Sequence, residues 1–405
     1  MQSRSGKEIR ERFIQFFTQR GHTHLPSSSL VPRNDPTVLL TTAGMLQFKP
    51  IFMGLEKRRV PRAVTVQKCC RTTDLDSVGR TARHHTFFEM LGNFSFGDYF
   101  KNEVIPWAWE FLTVEMGLPK EKLYITVFTD DDEAADIWYK KAGVAQDHLI
   151  RLGEDTNFWA AGPTGPCGPC SEILYDLGIE HGCPEGCGPE CECGRYLEIW
   201  NLVFMQYNRD EQGNLTPLPA KNIDTGMGLE RLASVLQGVP NNFETDLIFP
   251  ILKMVADKAK ISYGESPEKD LSLKIVADHL RAVIFLIADG VTPSNEGRGY
   301  VLRRIIRRAV RHGKLLGIQG AFLNDLVAPV VEMYSHYQEL IQEKTFIFQT
   351  LTEEERRFGQ TIDRGVQLLQ TAMSTIGPDR VLTGETAFEL YDTYGFPLEL
   401  TIELA

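Results

Sequence analysis

Val64-Thr65-Val66-Gln67-Lys68-Cys69-Cys70-Arg71 and, beyond a polar loop, Thr86-Phe87-Phe88-Glu89-Met90-Leu91-Gly92-Asn93-Phe94 form the stretch whose reading decides the fold. Both runs are β-like, and a loop of about fourteen residues joins them, so they suit a long antiparallel hairpin. Outward from the hairpin, short β-like runs such as Thr37–Thr41 and Leu123–Phe128 alternate with turns. A third marked segment, Asp224-Thr225-Gly226-Met227-Gly228-Leu229-Glu230-Arg231, opens into a helical pattern. From about Thr245 β character disappears; residues 271–290, 300–313 and 321–374 show three-to-four-residue apolar spacing with charged opposite faces. The expected architecture is α+β: an antiparallel sheet domain over 1–242, then an all-helical domain over 243–405.

A chain of 405 residues is long enough for two or three domains, and 42% hydrophobic with 24% charged residues is the balance of an ordinary globular protein. No apolar run reaches the roughly 18 residues a membrane span needs. Ile9, Phe13, Phe16 and Phe17 recur at helical spacing among charges, an amphipathic helix rather than a targeting segment. The cytoplasm is the default location. The end, Thr401 to Ala405, falls inside an apparent helix start after Pro397, which reads as a cut within a longer protein.

A net charge of −11 argues against RNA binding by the whole surface, so any such contact needs a local basic patch. One exists in Val301–Gly313. On a helix, Leu302, Ile305, Ile306 and Ala309 share one stripe and the arginines, Arg307 among them, form the other face. That ridge suits a phosphate track with salt-sensitive binding; its arginines can equally pair with nearby carboxylates. The eight cysteines all precede residue 194, which excludes a disulfide framework spread over the chain. Cys183, Cys187, Cys191 and Cys193 suit a tetrahedral zinc, with free thiols in a Gly/Pro-rich insertion as the alternative.

The hairpin runs ending at Arg71 and the glycine segment ending at Arg231 resemble the second and third motifs of class II aminoacyl-tRNA synthetases, worded as in the alanine-specific branch. Ser27–Pro36 with Leu39–Met45 resembles the first motif, a structural one. The resemblance runs from about Ile9 to Leu400 and implies a class II antiparallel sheet flanked by helices. It implies an alanine–tRNA ligase that uses ATP and Mg²⁺, with L-alanine and the acceptor stem of tRNA(Ala) as partners. Arg71, Asp224 and Arg231 would be catalytic. Arg71, His84, Met90, Phe94 and Arg231 would meet the nucleotide, although His84 and His85 can also pack within the hairpin.

Trp159, Asn201, Val203, Asp224 and Gly226 would form the amino-acid pocket, with Asp224 gripping the ammonium group; Trp159 and Val203 are otherwise ordinary core. Cys167 and Cys170 lie in a string resembling a loop of the family's active site. Asn295 and Asp392 would read a G·U pair of the acceptor stem, supported by Arg307. The family's editing motifs, His-x-x-x-His and Cys-x-x-x-His, do not occur, so mischarged serine is expected to persist; a monomer is expected. Two rivals remain: an RNA-binding relative without catalysis, and a ligase with a non-tRNA acceptor.

Overall fold

In the computed structural model, which describes residues 2–32, 38–57, 59–184, 186–374, 381–396, 398 and 401–402, the chain resolves into two units, Met1–Phe249 and Pro250–Ala405. Arg33–Thr37, Pro397, Leu400 and Glu403–Ala405, which the sequence reading uses, lie outside the described residues. The first unit extends past the expected division at 242. Asp246 accepts from the Gly6 N–H at 2.9 Å, and an added Cβ at Gly6 would lie 2.4 Å from Leu247, so 243–249 packs against the chain's start.

The strands of the first unit are β1 (Thr23–His24), β2 (Arg62–Cys70), β3 (Phe87–Phe96), β4 (Leu123–Phe128), β5 (Leu149–Leu152), β6 (Phe158–Ala160), β7 (Gly165–Asp176), β8 (Tyr196–Arg209) and β9 (Leu215–Gly228). In space they run β1-β2-β3-β9-β8-β7-β4-β5, with β6 against β7. The hairpin forms in continuous register from Arg62↔Ser95 to Cys70↔Phe87. The sheet is mixed rather than wholly antiparallel, because the outer pairs β1/β2 and β4/β5 are parallel. Val38–Thr41 is not a strand: Thr41 bonds singly to Leu30 and Cys70, and so ties two segments without a ladder. The first-motif serines are laced to β2, with Gln67 accepting from the Ser28 N–H at 2.9 Å and Ser27 Oγ from the Lys68 N–H at 3.0 Å.

Helix α1 (Gly6–Thr18) starts in a capping box between Ser5 and Glu8 and buries Ile9, Phe13, Phe16 and Phe17. The Phe13 ring meets Trp200 of β8 at 5.7 Å. Each such ring contributes roughly 1.5–3 kcal/mol by burial, ample to dock one amphipathic helix on the sheet. Helix α2 (Leu229–Gln237) continues directly from β9 and ends at Gly238, whose φ of 64° makes the left-handed cap.

The second unit is helical. Its α3 (Pro267–Ala288) is buried on nearly every side from Ser272 onward, as its apolar sequence demands. In α4 (Gly297–Leu315) the expected stripe of Leu302, Ile305, Ile306 and Ala309 is buried. α5 (Lys344–Ser374) and α6 (Gly384–Asp392) follow, and the apolar spacing over 321–343 resolves into short helices and turns.

Gly168 sits where β7 passes close to β8; a Cβ there would lie 2.0 Å from the Phe204 carbonyl oxygen. Backbone cannot yield as a side chain does. Gly168→Ala is expected to cost about 2–3 kcal/mol, read as a lower denaturant midpoint for the first unit.

Candidate active site

Directly opposed residues on paired strands share a face of the sheet, and alternate residues along a strand return to it. Cys170↔Val203, Val203↔Asp224 and Asp224↔Phe94 therefore form one row across β7, β8, β9 and β3. The next row on that face is Glu172, Asn201 and Gly226. Trp159 and Met90 pack against the apolar cluster that holds Val203 and Phe94. Four of the five residues expected in the amino-acid pocket thus occupy two adjacent rows, with Trp159 on the neighbouring strand.

Glu198 reaches the same face by a different route. Ile173 pairs with Trp200 but Leu174 pairs with Glu198, so Ile199 is an inserted residue. An insertion changes which alternate residues face the site, which is why an even-numbered residue of β8 joins Asn201 and Val203.

Arg71 and Arg231, 160 positions apart in sequence, line one cavity with Arg83, His84, Met90, Gly226, Glu198 and Glu230. Arg231 Nη1 donates to Glu198 Oε2 at 2.8 Å and to the Glu198 carbonyl at 2.9 Å. Arg71 Nε donates to the Thr42 carbonyl at 3.2 Å, and its guanidinium lies 5.0 Å from the Phe88 ring centre. Each guanidinium is held by one nitrogen and keeps further donors of its planar fork.

Of the nucleotide residues expected from sequence, Arg71, His84, Met90 and Arg231 meet in this cavity, whereas Phe94 does not. Phe94 is fully buried with its ring 4.7 Å from that of Phe48, and it pairs with Asp224 across the sheet. His84 Nδ1 lies 2.8 Å from Thr81 Oγ1. His85 is buried, accepts from Asn242 Nδ2 at 3.0 Å and packs on Phe243, so of the two it follows the packing alternative more fully.

The acids differ by their surroundings. Asp224 is 6% exposed, and burial alone lifts its carboxyl to about 7. Burial also raises Glu172, and the neighbouring Glu198 charge adds to the effect. Glu198 moves down: Arg231, with Arg71 and Arg83, outweighs the upward push of burial. Glu172 accepts from Asn201 Nδ2 at 3.4 Å, while Asn201 Oδ1 is buried and has no hydrogen-bond partner. Sequence reasoning missed both glutamates. The available signal was an acid inside an apolar strand run, Ser171-Glu172-Ile173-Leu174 and Leu197-Glu198-Ile199-Trp200.

Cys167 and Cys170 lie on strand β7, not in a loop, and are buried. In the second unit Asn295 and Asp392 are exposed, Asp392 ending α6. Arg307 is half-buried, its Nε 3.1 Å from Glu354 Oε1, and Arg303 Nε is 3.2 Å from the same oxygen. For these two arginines, pairing with a carboxylate is what the fold shows; Arg304 is exposed.

Residues 8–405 match the family model described as tRNA synthetases class II (A). The chain is 55% identical to the alanine–tRNA ligase of Pelotomaculum thermopropionicum, over 99% of this chain and 46% of that protein. It is 56% identical to the alanine–tRNA ligase of Thermosynechococcus vestitus, over 100% of this chain and 47% of the relative. The chain spans about half the length of the curated relatives it matches. With the match covering both units, this chain belongs to the class II (A) tRNA synthetases.

Proposed function

We propose that this chain activates L-alanine with ATP, forming alanyl-adenylate and pyrophosphate, and then transfers alanine to the 3′-terminal adenosine of tRNA(Ala) in the cytoplasm. The observation that carries the reading is the convergence of Arg71 and Arg231 on one cavity, with the buried Asp224 on the adjoining sheet face. In this reading the alanine carboxylate, already ionised, attacks the α-phosphorus of ATP in line and pyrophosphate departs. The protein's part is to position and neutralise, and no side-chain base is required.

Arg71, at the end of β2, offers its remaining donors to the α-phosphate and the attacking carboxylate. Arg231, its fork oriented by Glu198, lies beside the nucleotide. Asp224 and the unpartnered Asn201 Oδ1 are acceptors suited to an ammonium group. Val203 and Trp159 limit the space to a small side chain. Mg²⁺ bound to ATP would neutralise phosphate charge; the carboxylates of Glu198 and Glu230 line the same cavity and are the hard oxygen donors such an ion takes. Asn295, Arg307 and Asp392 are assigned to the acceptor stem. Because one methylene is worth only about 1–3 kcal/mol, glycine and serine enter detectably.

ATP–pyrophosphate exchange tests the reading. It should run with alanine, more weakly with glycine and serine, and fall about 100-fold or more in Asp224→Asn or Arg231→Ala. Equal exchange without any amino acid would refute it. An ammonium group binds the ionised form of Asp224, so KM for alanine should drop about tenfold per pH unit as pH rises towards 7, then level off. A flat profile between pH 5.5 and 8 would remove Asp224 from the pocket.

The same carboxyl weakens the empty fold. Between its ordinary value of 3.8 and about 7 the folded protein holds a proton that the unfolded chain has released, so stability declines as pH rises through that window. The full penalty, on the order of 4 kcal/mol, is present at pH 8. Asp224→Asn should therefore raise the melting temperature of ligand-free protein more at pH 8 than at pH 5, while abolishing exchange. For Asp392→Ala, alanine-dependent exchange should stay within about twofold of wild type while tRNA charging falls at least about tenfold. Parallel loss of both would contradict its assignment to RNA.

A further inference from the structure

The loop joining β7 to β8 takes no part in the chemistry above, yet it gathers four thiols. Among its described residues from 177 to 195 none is buried, so it has no apolar core of its own. Its base is firm: Arg195 forms a two-pronged ion pair with Asp176 at 2.7 Å for each contact, and the Leu177 N–H donates to the Arg195 carbonyl at 3.0 Å. Its tip is shaped by turns. Gly186 N–H donates to Cys183 O and Cys191 N–H to Gly188 O, each at 3.0 Å, while Gly186 and Gly194 take φ values of 86° and 101° that favour glycine.

These turns bring Cys183 Sγ to 3.6 Å from Cys191 Sγ and Cys187 Sγ to 3.5 Å from Cys193 Sγ, with all four sulfurs within 4.8 Å of one another. A tetrahedral Zn²⁺ with bonds near 2.3 Å places its sulfurs about 3.8 Å apart, which this arrangement reaches by small side-chain shifts. All four are free thiols. Four soft donors at tetrahedral spacing, with no fifth position supplied, match a closed structural site rather than a catalytic one.

We propose that Cys183, Cys187, Cys191 and Cys193 bind one Zn²⁺, which staples the 177–195 lobe in place of a hydrophobic core. Binding converts four S–H groups to thiolates and releases their protons. The lobe has a definite place to act. His181 and Cys193 line a cavity of about 300 Å³ whose other wall carries Arg80 and Arg83 of the hairpin loop. Arg83 and Asn242 also line the central cavity, so the stapled lobe fixes the wall facing the loop that supplies a site arginine. This inference stands apart from the aminoacylation reading, and its readouts do not depend on turnover.

The test is metal analysis of the chain purified without added metal, followed by chelation and anaerobic titration with Co²⁺. One zinc per chain is expected, and Co²⁺ should give the visible and thiolate charge-transfer bands of a tetrahedral four-sulfur site. Cys187→Ser with Cys191→Ser should abolish both. Hydrogen exchange of the metal-free wild type, which keeps every side chain, should show lost protection at 177–195 and loosening at 80–83, with β7 and β8 unchanged. Absence of zinc together with no cobalt bands, zinc retained by the double variant, or protection lost evenly through β7 and β8 would each overturn the proposal.

Discussion

Asp224 lies in the sheet between Val203 and Phe94, where burial lifts its carboxyl and no neighbouring charge offsets the lift. Apolar floor on both sides makes an ionised oxygen costly there, and a cationic guest relieves the cost. Gly226, one step along the same face, keeps the backbone low, since a Cβ there would lie 2.8 Å from Met90 Sδ. Met90 in turn accepts from the Gly44 N–H at 3.3 Å, which ties the floor to the second part of the first motif.

A charge gradient runs along this face. At one end stands an acid lifted by burial, at the other Glu198, drawn down by three guanidinium groups. The effect is mutual: the Glu198 carboxylate offsets part of the positive charge that Arg231, Arg71 and Arg83 bring to the cavity. Glu198 thus orders Arg231 through two hydrogen bonds from one guanidinium nitrogen, which in the proposed function is pre-organisation for a phosphate.

Much of this was legible in the residues. The hairpin, the glycine turn into a helix and the α4 stripe follow from periodicity and turn chemistry local to each segment, whereas Arg71 and Arg231 stand out only through the resemblance to the class II motifs. What escaped was non-local. Glu172 and Glu198 depend on strand pairing across β7 and β8, which no window of sequence reveals. Phe94 alternates correctly for a strand, but which face it takes is decided by β9. The partners of Arg303 and Arg307 come from Glu354, about fifty positions away in the chain. The first unit's extension to Phe249 rests on contacts with residue 6, at the far end of the unit.

The inserted Ile199 has an effect of its own. Strand β8 changes parity there, so the residues on either side of it are addressed to the site by odd and even numbering respectively. Substitutions around it would be absorbed locally, and loss of Ile199 itself would restore plain alternation with Glu198 still opposite Leu174, but gain of one further residue beside it would turn Glu198 toward the opposite side of the sheet and leave Arg231 without its carboxylate. The lineage can therefore vary the composition of this strand more freely than its length.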